Sequence, residues 1–298
     1  MAEQRGSRVV VIGDALIDEI QDEGGSADFV GGAALNVAVG LTLLGVPTTL
    51  IAMVADDDDG RSVREYLERY GVRLVATDAP RGTARATAWK TEGEARYEFN
   101  DAAVNRAIVF DPDAKEALDA APLVVVSCYP FDSDELTDRL LDAVGDAGHR
   151  LVVDPNPRPG MMRDLAAFVR NTDRVAAAVR LIKVGDEDAE LLYGSSLADA
   201  AERLQRDGAQ FVLATGGRRG ASLYTPSGRV DAGIADLPGP IVDTIGAGDA
   251  TLASITDALL RSDRQGADDL EYWSGALQNA MTIAAATCRG EGALLRLP

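Results

Sequence analysis

An α/β protein, with a mostly parallel central sheet covered by helices on both faces, is the fold class this chain predicts. Three observations lead there. Short runs rich in Val, Ile and Leu alternate with longer runs of helical period almost from end to end. The 298 residues, 46% of them hydrophobic, suffice for one large core. No internal repeat, low-complexity tract or linker breaks the alternation, so residues 1–298 read as a single domain.

The elements follow in order. A strand over 8–12 ends at Gly13-Asp14, and a helix over 33–44 begins behind Gly31-Gly32. A strand over 48–54 precedes the acidic run 56–59, which suits a solvated turn capping a helix over 61–70. Strands over 123–127, 150–154, 181–184 and 210–215 alternate with helices over 133–147, 197–207, 247–260 and 269–287. Two polar, β-prone stretches depart from the pattern, about 16–30 and 84–101, the second alternating as Thr87-Ala88-Trp89-Lys90-Thr91. They are expected to pair as a small sheet outside the main body, a flap beside the strand ends that would exclude water. Two ordinary surface hairpins are the alternative.

Composition excludes several function classes. A formal charge of −19 argues against nucleic acid as a partner. No run of about 18 apolar residues occurs, so no membrane span is expected, and the amino terminus carries no signal-peptide pattern. Cys128 and Cys288 are too few for a disulfide framework or a cysteine metal site, and a cytoplasmic placement is the expectation. His149 is the sole histidine and sits in a turn before a strand, which leaves a zinc site or a His-based triad without partners. Neither a Walker-type loop nor a Gly-x-Gly-x-x-Gly after a strand occurs.

The chemistry concentrates in two glycine-rich segments. Gly246-Ala247-Gly248-Asp249 opens a helix, where bare amides and the helix dipole make an anion site and glycines let a phosphate approach. Asp249 in the first turn then suits a base in phosphoryl transfer. A plain loop-to-helix junction, with Asp249 as a dipole partner, is the structural alternative. At the other end of the chain, Gly31-Gly32-Ala33-Ala34-Leu35-Asn36 and the strand-end Asp14 offer an amide, a carboxylate and bare backbone to a polyol.

Together with Asp154-Pro155-Asn156-Pro157-Arg158 and Ala214-Thr215-Gly216-Gly217-Arg218-Arg219-Gly220, these segments resemble the ribokinase-type (PfkB) carbohydrate kinases over essentially the whole chain. The resemblance implies a three-layer α/β/α fold with a small β-sheet lid, ATP and Mg²⁺ as requirements, and K⁺ as a further cation. It matches Asp249 with the catalytic base and Gly246, Ala247 and Gly248 with the anion hole. It matches Asp14, Gly31, Gly32, Asn36 and Arg158 with substrate contacts, and Thr215, Gly217, Gly220 and Asn279 with nucleotide contacts. Asp243 and segment 288–292 match the monovalent-cation region, and pairing of two copies through the lid is implied as well. One departure stands out: the usual Asn-x-x-Glu reads Gly185-Asp186-Glu187-Asp188, so Asp188 takes the glutamate's place beside hydrated Mg²⁺, with Glu187 as a neighbour that could substitute.

Within the family, Gly13-Asp14-Ala15-Leu16-Ile17-Asp18, Gly45-Val46-Pro47-Thr48 and Tyr97-Glu98-Phe99 look most like the fructokinase branch, which implies phosphorylation of D-fructose to fructose 6-phosphate. Alternatives are a 2-keto-3-deoxygluconate kinase, in which Arg158 would bind the substrate carboxylate, another sugar or nucleoside kinase, or a sugar sensor without phosphoryl transfer.

Overall fold

The computed structural model describes residues 8–22, 25–91, 94–145, 148–265 and 268–298. The chain runs β1 (Val9–Gly13), β2 (Leu16–Asp22), β3 (Gly25–Gly31), α1 (Ala33–Leu43), β4 (Thr48–Met53), α2 (Asp58–Arg69), β5 (Arg73–Thr77), β6 (Ala84–Thr91) and β7 (Glu94–Phe99). It continues through α3 (Asp101–Val104), α4 (Pro112–Asp119), β8 (Val124–Ser127), α5 (Asp134–Val144), β9 (Leu151–Asp154), α6 (Leu165–Ala176), β10 (Leu181–Gly185) and α7 (Asp186–Tyr193). It closes with α8 (Leu197–Arg206), β11 (Phe211–Thr215), β12 (Ala221–Thr225), β13 (Gly228–Ala232), α9 (Ala247–Gln265) and α10 (Leu270–Thr287). Among these residues no helix is long and apolar enough to cross a membrane.

Nine strands form one sheet in the order β13-β12-β11-β10-β9-β8-β1-β4-β5. The seven from β11 to β5 are parallel, and the β12–β13 hairpin closes one edge antiparallel. Parallel strands must bury both faces, and the pleat shows how. In β8, Val124 and Val126 join one core while Val125 joins the other. The face bearing Val125 packs against α1, α2, α9 and α10, and the opposite face against α4 to α8. The result is the three-layer arrangement that the alternation predicts.

Segments 16–31 and 84–99 build a second, four-stranded sheet in the order β3-β2-β6-β7. Its inner face rests on Leu16, Ala84, Ala86, Ala103 and Met161. Acidic residues of α2 hold it to the main body. Asp57 caps α2 by accepting from Gly60 N (2.7 Å), and also accepts from Thr83 N (2.9 Å) and Thr83 Oγ1 (2.7 Å) just ahead of β6. Asp59 takes two hydrogen bonds from Arg85, at 2.6 and 3.2 Å, and the same guanidinium pairs with Asp28 and Glu19 of the small sheet. The acidic run is therefore both the expected cap and a strap.

Candidate active site

A crevice opens at the carboxyl ends of the parallel strands, the place where open α/β sheets bind ligands. β1 delivers Gly13 and Asp14 there, β8 delivers Ser127 and Cys128, β9 Asp154, β10 Gly185 and β11 Thr215. Two non-glycine residues just beyond these strands have positive φ, Cys128 (53°) and Asn156 (42°). Strained backbone of this kind persists only where the surroundings over-determine it, and it clusters at functional sites.

The segment leading into α1 is built for close approach. Gly32 has φ 114° and a Cβ there would stand 2.7 Å from Asp14 O. Asp14, only 8% exposed, accepts through Oδ1 from Ala34 N at 2.9 Å and through its carbonyl from Leu35 N at 3.2 Å. One carboxylate oxygen is thus committed to the helix N-terminus, whose Gly32 cap has no side chain to offer. Gly31 serves Asp18, which closes the Gly13–Asp18 segment in sequence but is not among the predicted site residues. A Cβ at Gly31 would lie 2.1 Å from Asp18 Oδ2, so the glycine makes room for that carboxylate. Burial, with the nearby Asp14 charge adding and Arg158 opposing, pushes Asp18 up to about 7.

Asn36, one turn into α1, donates through Nδ2 to Asp249 Oδ2 at 2.9 Å across 213 positions of sequence. Asp249 sits in the first turn of α9, behind Gly246 (φ 78°), Ala247 and Gly248. Gly246 is obligatory on two counts, since a Cβ there would also stand 2.4 Å from Ala293 O. Burial pushes Asp249 up to about 6, while the Asn36 hydrogen bond and the Lys183 charge hold it lower than burial alone would. Arg158 is exposed by its position after β9 and interacts electrostatically with Asp249, Asp14 and Asp154.

Beside this centre lies a second group. Thr215 ends β11, and the loop after it closes through Gly216 N to Gly220 O (2.8 Å), with Gly217 (φ 51°) and Gly220 (φ 86°) in conformations that favour glycine. Arg219 of that loop pairs with Asp186 at the start of α7. Asp188 lies in the same turn and accepts from Gly185 N at 2.8 Å through Oδ2. Its other oxygen can meet a hydrated Mg²⁺, which tolerates one carboxylate plus waters. Among the described residues no group of three or more His, Cys, Asp or Glu side chains is placed to hold a metal ion.

Two predicted residues need comment. Asp243 is tied to the 288–292 segment: its Oδ2 accepts from Gly292 N (3.3 Å), its own N donates to Cys288 O (3.2 Å), and Oδ1 accepts from Ile245 N (3.0 Å). This carboxylate and the neighbouring backbone carbonyls are a hard oxygen set that suits a monovalent cation. Asn279 is different. It is exposed on α10, reaches Ser254 Oγ at 3.5 Å, and lines a groove with Asp257, Arg261 and Glu271. None of its contacts ties it to the Thr215–Gly220 loop, because the buried stripe Trp273-Leu277-Ala280-Ala284 turns position 279 away from the sheet.

Arg106 was also invisible in the sequence. It lines the crevice with Asp14 and Cys128, and among the described residues its Nη1 meets only Met161 Sδ (3.1 Å) and Cys128 Sγ (4.0 Å) while its buried Nε has no partner. Nothing in its local sequence marks it, since Val104-Asn105-Arg106-Ala107 reads as an ordinary loop.

The chain is similar to known proteins along its full length. It is 32% identical over 263 residues to a fructokinase of Rhizobium leguminosarum bv. trifolii, covering 84% of this chain and 79% of that one. It is 28% identical over 311 residues to an aminoimidazole riboside kinase of Salmonella typhimurium, with 98% and 92% covered. A fructokinase structure with bound ATP from Xylella fastidiosa superposes with a TM-score of 0.79 at 20% identity, covering 97% and 94%. Ribokinase from Giardia lamblia gives 0.80 at 19% identity, with 97% and 94% covered. Residues 7–298 match the pfkB family carbohydrate kinases as a unit, and with that match the protein belongs to this family of sugar kinases.

Proposed function

We propose that this kinase transfers the γ-phosphoryl group of ATP to the 6-hydroxyl of D-fructose, with Asp249 as the base. The observation that supports the mechanism is the 2.9 Å bond from Asn36 to Asp249, which joins a side-chain amide and a carboxylate at a glycine-rich helix N-terminus. Fructokinases among the relatives support the choice of sugar.

Sugar hydroxyls meet Asp14, Asp18 and Asn36 against the bare backbone of Gly31 and Gly32. Asp249 accepts the proton of the reacting hydroxyl as its oxygen bonds to phosphorus, and the bridging oxygen leaves on ADP. The amides of Gly246 to Gly248 hold the charge of the phosphoryl group in flight. Thr215, Gly217 and Gly220 face the nucleotide, and Asn279 joins them only on the strength of the family resemblance. Asp188 would hold a hydrated Mg²⁺, which would supply positive charge for the phosphate oxygens, and Asp243 would hold K⁺ beside the anion-hole loop. Acceleration then comes from position and charge rather than from covalent chemistry.

The small sheet acts as the lid over this crevice in our reading. Its edge strand β3 is exposed along 25–29, Phe29 at 49%, and offers the surface for pairing two copies. A purely monomeric species in sedimentation would reject that pairing.

A second reading has its own observation. Among the described residues Arg106 and Arg158 stand at the crevice without a carboxylate at ion-pair distance. An acceptor carrying a carboxylate, such as 2-keto-3-deoxygluconate, would satisfy them. ADP release with fructose, 2-keto-3-deoxygluconate, ribose and aminoimidazole riboside separates the readings. Preference for fructose is expected, and preference for the acid would overturn it. Asp249→Asn should bind sugar yet lose on the order of 10²-fold or more in kcat.

A further inference from the structure

One buried charge in the crevice has no part in the scheme above. Lys183 is 7% exposed. The pleat of β10 turns Leu181 toward the α1/α9 face and Ile182 and Val184 toward the other, so Lys183 shares the face of Leu181. The register that sets Leu181 against Val152 and Ile182 against Val153 brings Lys183 alongside Asp154. Nζ donates to Asp154 Oδ2 at 2.8 Å. The stem runs under the first turn of α9, where a Cβ built on Gly248 would lie 3.3 Å from Cε and 3.4 Å from Nζ. The ammonium therefore sits against the back of the anion-hole turn.

Packing gives no reason for such a pair. A buried ion pair is repaid only when its remaining hydrogen-bonding capacity is met, and apolar residues in its place are often neutral or stabilising. Among the described residues Asp154 Oδ1 has no partner, nor has Ser127 Oγ, which stands next to it across β8 and β9. The neighbouring positions one layer down, Val125, Val152 and Leu181, are apolar. The charge is placed where the helix dipole supplies only about half a unit.

We propose that Lys183 is a positioning residue of phosphoryl transfer: a fixed cation, held by Asp154 beneath the Gly246–Gly248 turn, whose field acts on Asp249 and on the phosphoryl group above Gly248. The inference rests on the kinase reading with Asp249 as base. The groups facing Asp249 are Asn36 from α1, Lys183 from β10, and Asp154 and Arg158 from β9 and its exit. Lys183 in turn faces Asp154, Asp188 and Asp249, whose combined charge keeps it protonated against the cost of burial. Asp14 enters the same network through Arg158.

Opposite charges in one pair give the test its direction. In the pH profile of kcat/KM for the best acceptor, Lys183→Met removes a cation and should move the acid limb upward. Asp154→Asn removes an anion and should move it downward. Each displacement is expected at roughly half to one unit, the scale of a neighbouring charge in a partly solvated site. Lys183→Met should also lower kcat by about tenfold or more with sugar KM within about twofold, while Lys183→Arg keeps the limb in place. Limbs that stay put in folded variants, or that move together, would overturn the proposal, because lost packing has no sign. Should Lys183→Met fail to fold, as thermal unfolding would show, the Asp154→Asn limb decides alone. Wild-type protein that releases no ADP with any acceptor would instead overturn the kinase reading; turnover with an unmoved limb sinks only this one.

Discussion

At Asp249 two demands compete. The proposed role as a base requires the ionised form, whereas burial favours the neutral acid and raises this carboxyl from 3.8 to about 6. The native state therefore holds a proton that the unfolded chain has lost between those values. The stability this contributes is present below pH 3.8 and disappears as pH rises through about 6, and catalysis runs the other way. We expect kcat/KM to climb through about pH 6. Asn36→Ala, which removes the hydrogen bond holding Asp249 down, should shift that rise to higher pH and raise sugar KM. An unmoved rise would separate Asn36 from the base. Gly246→Ala is expected to cost about 2–4 kcal/mol in urea unfolding, since it meets both a positive φ and the Ala293 carbonyl. The glycines and Asp249 stand out in the sequence as small residues ahead of a carboxylate at a helix start, a pattern a plain dipole partner shares, and what the fold adds is the Asn36 bond. Asp18, Arg106 and Lys183 do not stand out, because each looks like an ordinary strand or loop residue until the sheet register brings it to the crevice. Position 188 is intermediate: its acidity was legible, but not that one of its oxygens is spent on Gly185 N.

Among the elements, α2 shows how local and distant roles overlap. The capping role of 56–59 follows from the sequence, since an acidic residue ahead of a helix has a local partner three residues on. Its bonds to Thr83 and Arg85 lie 26 positions away and leave no local trace. Partial burial works against ionisation of Asp57, yet the Thr83 hydroxyl and the Gly60 and Thr83 amides outweigh it and hold the carboxyl low. Its contribution to stability is thus present above pH 4 and lost on acidification below that. Asp57→Ala should cost about 1–2 kcal/mol from the cap alone. Arg85→Gln, which cuts the small sheet loose from Asp59 and removes its internal pair with Asp28, should raise sugar KM and hasten proteolytic cleavage within 16–31 or 84–99 while leaving the unfolding midpoint of the main body nearly unchanged. Equal loss of both would show that the small sheet is not a separately opening unit. Six of the seven parallel strands were legible as apolar runs. The edge elements were not: β5 begins on the exposed Arg73, and β12 and β13 are five-residue antiparallel strands with polar alternate positions.

For the whole molecule, charge sets the last expectation. Two effects of salt oppose one another. Many Arg–Asp and Arg–Glu pairs stand on exposed helix faces, such as Arg139–Glu135, Arg170–Asp134 and Arg174–Asp138. Screening weakens them, but exposed pairs contribute only about 0–1 kcal/mol each at low salt, and many contribute nothing measurable. Against them stands self-repulsion among 48 acidic residues balanced by only 29 basic ones, a net charge of −19 carried on one compact body. Repulsion sums over all separations within a Debye length, about 30 Å at 0.01 M and about 3 Å at 1 M, so screening relieves nearly all of it while each pair loses little. Relief should therefore win, and the unfolding midpoint should rise between 0.01 and 1 M monovalent salt, by about 1.5–2 °C for each kcal/mol recovered in a body of this size. KCl and tetramethylammonium chloride should act alike if screening is the cause, with any excess for K⁺ assigned to binding beside Asp243 and abolished in Asp243→Asn. A midpoint that falls with salt would mean that the ion pairs outweigh the excess charge, and that the Arg–Asp network holds this fold more firmly than its exposure allows.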